Sequence, residues 1–303
     1  MTSSAVPAAA GPLFRSANEQ TTVPMDKVIH SANAGFIVHR SGLIKYEFRA
    51  EGLQFGFELV EMINSSQAGN LSVFLYEELL GTYNRLHWIL HMRQPNDYAR
   101  LLDMVDHDAK WREIADMDRL PARGGGGWER LFIEGSIQET VICPQHGVGY
   151  GQHEDFGTFQ PPASRQTRLP ADQLLNSANA ALIVHRTAQA GYALREEARL
   201  FSYEWAGRVN EALAGRASAF LYEEMWGRQD RLHILIHLRS LDAYQELLGL
   251  PEQDEGMRDL MARQWVPGFK GGGGWERLFI DATIVDTVLM PAHRDQRPRG
   301  GQP

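Results

Sequence analysis

The chain has 303 residues, 43% hydrophobic and 22% charged, the balance of an ordinary globular protein of about two domains. A formal net charge of −8 weighs against nucleic acid and anionic membranes as partners, since both are held by Lys and Arg. Cys143 is the single cysteine, so no disulfide framework can form and a reducing cytoplasm is the expected location. No apolar run reaches the length of a membrane span.

In chain order, residues 1–24 read as a disordered tail, lacking the basic start and apolar core of a secretory signal. A first α+β repeat is expected over 25–146. Its first strand runs from about Gly35 to Ser41, with a continuation through Tyr46 to Arg49 left open. Phe55, Leu59 and Ile63 recur at helical spacing. Leu71 to Glu78 reads as a strand, turned by Gly81-Thr82-Tyr83-Asn84 into the stretch RLHWILHMR at 85–93. Leu86, Trp88, Leu90 and Met92 form one face of that strand, and His87, Ile89, His91 and Arg93 the other, by its period of two. Tyr98, Leu101, Leu102 and Val105 mark the next helix, which Trp111, Ile114 and Met117 extend or follow with another. Trp128 to Ile142 supplies the last strand, with a bend expected at Gly135. Residues 147–171 read as a Gly/Pro/Gln linker that spans roughly 80 Å when extended. A second repeat follows over 172–293, and 294–303 is expected as a disordered tail.

The two repeats are one unit written twice. SANA at 31–34 returns at 177–180, IVHR at 37–40 returns at 183–186, and RLH at 85–87 returns at 231–233, all offset by 146. The run GGGGWERLFI at 124–133 returns at 271–280. Each repeat reads βαββαβ, a four-stranded antiparallel sheet with helices on one side. The other face needs cover, and two such units in one chain cover each other sheet to sheet, closing a pseudo-dimeric α+β barrel. With the Leu/Trp face of the RLH strand under the helices, His87, His91 and Arg93 are expected to line the enclosed space.

Several segments carry a resemblance to a known superfamily: Tyr46-Glu47-Phe48-Arg49, Gly81-Thr82-Tyr83-Asn84-Arg85-Leu86-His87, and the Tyr98 helix running toward Lys110-Trp111. Tyr222, Gly227, Arg231, His233 and Tyr244 repeat the pattern more weakly. In these the chain resembles the dimeric α+β barrel superfamily, and most its NIPSNAP-like branch, here as a tandem duplication. The resemblance implies a small-molecule cavity. The superfamily holds cofactor-independent monooxygenases, cyclases and isomerases of aromatic or polyketide molecules, haem enzymes, and proteins without known chemistry.

The expected function is a cytoplasmic tailoring enzyme of biosynthesis acting on an aromatic or polyketide-like metabolite inside the barrel. The catalytic candidates are His87, His91 and Arg93 with His233, His237 and Arg239: an imidazole takes a proton and a guanidinium steadies the anion. His39, His185, Tyr76, Tyr222, Trp128 and Trp275 are the substrate-binding candidates. The leading reading requires no cofactor. A metal alternative invokes zinc or non-haem iron on His39, His87, His91 and Glu78, or on His185, His233, His237 and Glu224, and haem is a further alternative. His87 and His91 lie about 13 Å apart along the strand, so one metal could not take both directly. A hydrogen-bonded polar lining without chemistry, and a non-catalytic carrier or interaction protein, remain open beside these. The glycine run lacks the Lys-Ser/Thr ending of a P-loop; it is expected at the seam or cavity mouth rather than on a ligand. His153-Glu154-Asp155 reads as solvated linker. No nucleic acid or membrane partner is expected, and oligomerisation beyond the internal pseudo-dimer is left open.

Overall fold

The computed structural model describes residues 14–147 and 155–294. The first half contains β1 (Phe36–Leu43), α1 (Arg49–Ser66), β2 (Leu71–Leu80), β3 (Arg85–Met92), α2 (Pro95–His107), α3 (Ala109–Asp116) and β4 (Gln138–Pro144). The second contains β5 (Leu182–Gln189), α4 (Arg195–Ala212), β6 (Ala217–Trp226), β7 (Arg231–Leu238), α5 (Leu241–Gln253), α6 (Glu255–Ala262) and β8 (Val285–Pro291). The strands close one antiparallel barrel in the order β1-β3-β2-β8-β5-β7-β6-β4. The α+β pseudo-dimeric barrel expected from the repeats is therefore the observed fold. Among the described residues no helix is long and apolar enough to cross a membrane.

Alternation along the strands divides the core into three parts. Leu86, Trp88, Leu90 and Met92 join Phe55, Leu59 and Ile63 of α1 in one helix-covered core, and Leu232, Ile234, Ile236 and Leu238 do the same beneath α4. The third part is the barrel interior. It is filled by Ile37, Phe74, Tyr76, Ile89 and Ile142 from one half and Ile183, Phe220, Tyr222, Leu235 and Leu289 from the other. The middle of the barrel is thus filled where an open cavity was expected, because large inward side chains from both halves meet there in one buried cluster.

Two seams join the halves, β2 with β8 and β4 with β6. Each strand pairing ends at a proline without an N–H, Pro291 opposite Tyr76 and Pro144 opposite Tyr222, followed by a single further bond from Ala292 N–H to the Leu75 carbonyl and from Gln145 N–H to the Leu221 carbonyl (3.0 Å each). Beyond that point β2 would present bare backbone groups at its edge. Side-chain amides take them instead. Asn64 donates to the Val73 carbonyl (3.0 Å) and accepts from its N–H (2.7 Å). Gln20 accepts from Leu75 N–H (2.8 Å) while donating to the carbonyls of Leu75 (2.7 Å) and Ala292 (2.9 Å). Asn210 and Gln166 repeat this on Ala219 and Leu221, Gln166 also donating to the Gln145 carbonyl (3.1 Å).

Residues 14–24 are therefore not a loose tail. Ala17 is fully buried and Gln20 clasps a seam, as Ala163 and Gln166 of the expected linker do at the other. Residues 1–13, 148–154 and 295–303, with His153 and Glu154 of the linker cluster, lie outside the described residues; the Asp155 carboxylate accepts from Gly157 N–H (2.8 Å).

Two readings left open are decided, and one expectation changes. Strand β1 does not continue to Arg49, because Tyr46–Phe48 form a 3-10 turn that sends the chain back over the sheet as α1. The helical stretch after Tyr98 is two helices, since the Asp108 carboxylate accepts from the N–H groups of Lys110 and Trp111 and starts α3 afresh. The last strand begins only at Gln138, because Trp128–Arg130 turn and Gly135 takes φ +72°.

Candidate functional site

Period-two alternation brings His39 of β1, His87 of β3 and Glu78 of β2 to one end of the barrel interior, with His185, His233 and Glu224 opposite. The carboxylate of Glu78 lies 3.2 Å from His87 Nε2, and His87 Nδ1 lies 2.8 Å from His39 Nε2. The second half repeats the chain, with Glu224 3.4 Å from His233 Nε2 and His233 Nδ1 2.8 Å from His185 Nε2. The two chains meet where the rings of His39 and His185 pack edge to face, centroids 4.9 Å apart. Burial pushes all four imidazoles below their ordinary value, for His39 and His185 well below. For His87 and His233 the neighbouring carboxylate opposes that effect in part. Burial also acts against ionised Glu78 and Glu224, but hydrogen bonds and the nearby arginines outweigh it and hold both below the usual carboxylate value. Arg85 and Arg231 stand 3.4 and 3.9 Å from the Glu78 and Glu224 carboxylates, each across its own hairpin.

His91 and His237, four residues along the same strands, lie in a different setting. His91 Nδ1 bonds the Ser72 carbonyl (3.3 Å) and Nε2 the Ser177 hydroxyl (2.8 Å); His237 bonds the Ser218 carbonyl (3.1 Å) and the Ser31 hydroxyl (2.8 Å). Ser31 and Ser177 come from the repeated SANA segments, which cross here and exchange N–H to hydroxyl bonds of 3.0 and 2.9 Å. Both imidazoles are fully buried with pKa lowered to about 3 by that burial. Each has both nitrogens engaged, so these two catalytic candidates are corrected to supports of a plug. Tyr76 and Tyr222 belong to the same plug, donating to the carbonyls of Ser177 (2.6 Å) and Ser31 (2.7 Å) rather than facing a substrate.

The arginine candidates do not join the histidines. Arg93 and Arg239 lie one residue past the ends of β3 and β7, and donate to the carbonyls of Gly69 (3.3 Å) and Gly215 (2.6 Å). Six residues of strand place them roughly 20 Å along the chain from His87 and His233. Trp128 and Trp275 sit outside the barrel, stacked on Phe55 (5.8 Å) and Phe201 (5.8 Å). The glycine runs preceding them are neither seam nor barrel mouth. They wrap an arginine of the following turn, with Arg130 donating to the Gly125 carbonyl and Arg277 to that of Gly271 (2.9 Å). The positive φ of Gly124 to Gly126 makes that wrap possible.

The metal candidates do not assemble into one ligand set. Among the described residues no group of three or more His, Cys, Asp or Glu side chains is placed to hold an ion. The reason is the pairing itself, since imidazoles bonded to each other or to serines leave no convergent donors.

A second feature was missed in the sequence. On the outer face of the second half, between the sheet and α4, lies a cavity of about 220 Å³. Phe201, Trp205, Trp275 and Phe279 line it with Ile234 and the Ser202 hydroxyl. Arg186 is at its edge, its guanidinium 5.1 Å over the Trp205 ring and paired to Asp286 by two bonds of 2.8 Å. In the first half the place of Ile234 is taken by Trp88, whose ring packs 6.0 Å from Phe132. Gly56 there replaces Ser202, and a Cβ on it would lie 3.5 Å from Trp88 Cζ2. The signal was available as a difference between the repeats: Trp88 against Ile234, Gly56 against Ser202, Leu59 against Trp205.

Comparison with known proteins supports the architecture. A candidate monooxygenase from Fusobacterium nucleatum superposes with a TM-score of 0.52 at 9% identity, over 85% of this chain and 92% of that one. A candidate monooxygenase from Lactobacillus acidophilus gives 0.50 at 7% identity, over 85% and 93%. An anthrone oxidase-like protein gives 0.48 at 10% identity, over 90% and 99%. At the identities of the two monooxygenase superpositions the likeness is one of fold alone, and it agrees with the eight-stranded antiparallel α+β barrel described above. No curated protein sequence matches the chain. The matching family model spans residues 7–297, all eight strands of the barrel included, and the chain accordingly belongs to the family of unknown function DUF6039.

Proposed function

We propose that this protein binds a small aromatic metabolite in the pocket beneath α4 and transforms it as a tailoring enzyme of biosynthesis, by monooxygenase, cyclase or isomerase chemistry. The observation that carries the reading is the four-ring lining of the 220 Å³ cavity, with one hydroxyl and an arginine at its edge. Apolar walls with few polar groups are the usual make-up of small-molecule sites. Trp88 supplies a template for the occupant, because the first half fills the matching strand position with an indole of its own. A flat bicyclic ring carrying one hydrogen-bonding group, such as a naphthol, suits Ile234 and Ser202. The candidate monooxygenases of the same fold favour the catalytic form of this reading over a carrier.

Haem does not fit the pocket, whose lining contains no His, Cys or Tyr and offers only the Met261 thioether, which serves as an axial ligand beside a histidine rather than alone. The offset of 146 residues up to the RLH strand and 147 at the glycine runs supports tandem duplication, and the Gly81 to His87 segment supports a place near the NIPSNAP-like branch. The lone buried Cys143 suits a cytoplasmic setting.

The test is calorimetric titration of the full chain with 2-naphthol, followed by oxygen-uptake and product assays on phenols, naphthols and polycyclic ketones. Ile234→Trp, which copies the first half, is expected to weaken naphthol binding at least tenfold with the thermal midpoint retained. Equal binding by the variant removes the pocket reading. Binding without turnover of any compound transfers the assignment to a carrier.

A further inference from the structure

The four histidines at the barrel end are independent of that pocket, being separated from it by the sheet, and their hydrogen-bond order fixes their protons. An ionised carboxylate only accepts, so Glu78 requires the N–H of His87 on Nε2. A neutral imidazole has one donor and one acceptor, so His87 Nδ1 accepts, and His39 must donate from Nε2. His39 is left with a bare Nδ1. The same steps from Glu224 through His233 leave His185 with a bare Nδ1. Two relays of one polarity thus run from their carboxylates toward each other and end on adjacent rings.

We propose that these six side chains form a single proton-accepting site shared by the two halves, loaded through His39 or His185 and charged on one side at a time. Hydronium from the barrel end is the proton source, since His39 is only half-buried. The lone pair of His39 Nδ1 forms a new N–H bond. The proton on Nε2 passes to His87 Nδ1 while its bonding pair stays on Nε2. His39 is then neutral with its proton on Nδ1, and the positive charge rests on His87 against the Glu78 carboxylate. His185, His233 and Glu224 do the same in mirror image.

Only one relay loads because a charge on His233 opposes a proton entering at His39, and a charge on His87 opposes one entering at His185, the two entry rings being 4.9 Å apart. The charges come to rest one ring further out on each side, and like charges roughly 10 Å apart at an effective dielectric of ~20 weaken the second uptake on the order of tenfold. The other groups facing the site do not relieve this. Arg85 and Arg231 add positive charge, and the ladder neighbours are uncharged: Thr140, Ile89, Ser41 and the Tyr76 phenol in one half, with Thr287, Leu235, Thr187 and the Tyr222 phenol in the other, burial holding both phenols protonated. Burial disfavours the charged form of all four rings, so the first uptake falls below pH 6.5.

The experiment is a two-bond proton–nitrogen spectrum of the full chain labelled with ¹⁵N-histidine, followed from pH 8 downward. At pH 8 the four rings are expected as Nε2–H tautomers with bare Nδ1. Acidification is then expected to add one proton, spread over His87 and His233, with the second at least one pH unit lower. An Nδ1–H tautomer among the four at pH 8, a single two-proton step, or no uptake before unfolding would each overturn the proposal. Glu78→Gln is expected to move the first proton wholly to His233, and an unchanged distribution overturns it too. Should that variant fail to fold, Glu224→Gln supplies the mirror readout on His87.

Discussion

Strand β3 carries two histidines on one face, four residues apart, and the fold gives them opposite fates. His91 is held on both nitrogens by a carbonyl and a serine hydroxyl from the other half, at the plugged end of the barrel. His87 is held by a carboxylate and another histidine, in a chain that ends on a bare nitrogen. The same pair recurs on β7. Residue type and face therefore do not decide what an inward imidazole does. The partner at its second nitrogen does, separating a fixed support from a group able to take up charge.

The largest effect that sharpens this contrast is loss of the support. His91→Ala strips partners from the Ser177 hydroxyl and Ser72 carbonyl and opens a hole, and is expected to cost about 3–5 kcal/mol of unfolding free energy. His87→Ala, which leaves Glu78 beside Arg85, should cost about 1–2 kcal/mol. Urea denaturation of both variants measures the difference, and equal losses would erase the distinction between the two ends.

Acid gives the next largest effect. His91 and His237 titrate near 3 in the folded chain against about 6.5 unfolded, so between those values the unfolded chain binds more protons. Stability from this pair is complete above pH 6.5 and falls as pH drops toward 3, by up to about 2.7 kcal/mol per pH unit. His91→Gln should reduce that slope by one proton's share, about 1.4 kcal/mol per unit, in denaturation curves taken between pH 6 and 4. An unaltered slope would show that His91 is already charged in the fold. The smallest effect belongs to Arg93→Ala, expected within about 0.5 kcal/mol of the parent because only a carbonyl bond outside the barrel is lost.

Much of this architecture is visible in the residues. Alternation along 85–93 and the 146-residue echo lead directly to a barrel with inward histidines, because period and repeat spacing are properties of the string itself. Side-chain reach is not. Tyr76 shares a face with His87, but that its hydroxyl extends to the Ser177 carbonyl depends on where the other half comes to lie. Gln20 sits in a stretch without apolar periodicity, so nothing marks it as the partner of a β2 edge created only when a proline stops the neighbouring ladder. The inward histidines were found, yet their division into plug and relay rests on Ser31 and Ser177, whose repetition was noticed without its purpose. The pocket beneath α4 is not legible, because single exchanges such as Trp88 against Ile234 and Gly56 against Ser202 keep the apolar pattern, and only packing shows that they leave a space.

Because both seams are closed within one polypeptide, each half always faces its opposite number and never a copy of itself. In a barrel built from two identical chains, Trp88 would stand on both sides or Ile234 on both, and filled and open sites could not coexist in one molecule. A single covalent thread lifts that constraint, leaving one side free to hold a guest while its twin serves as ballast.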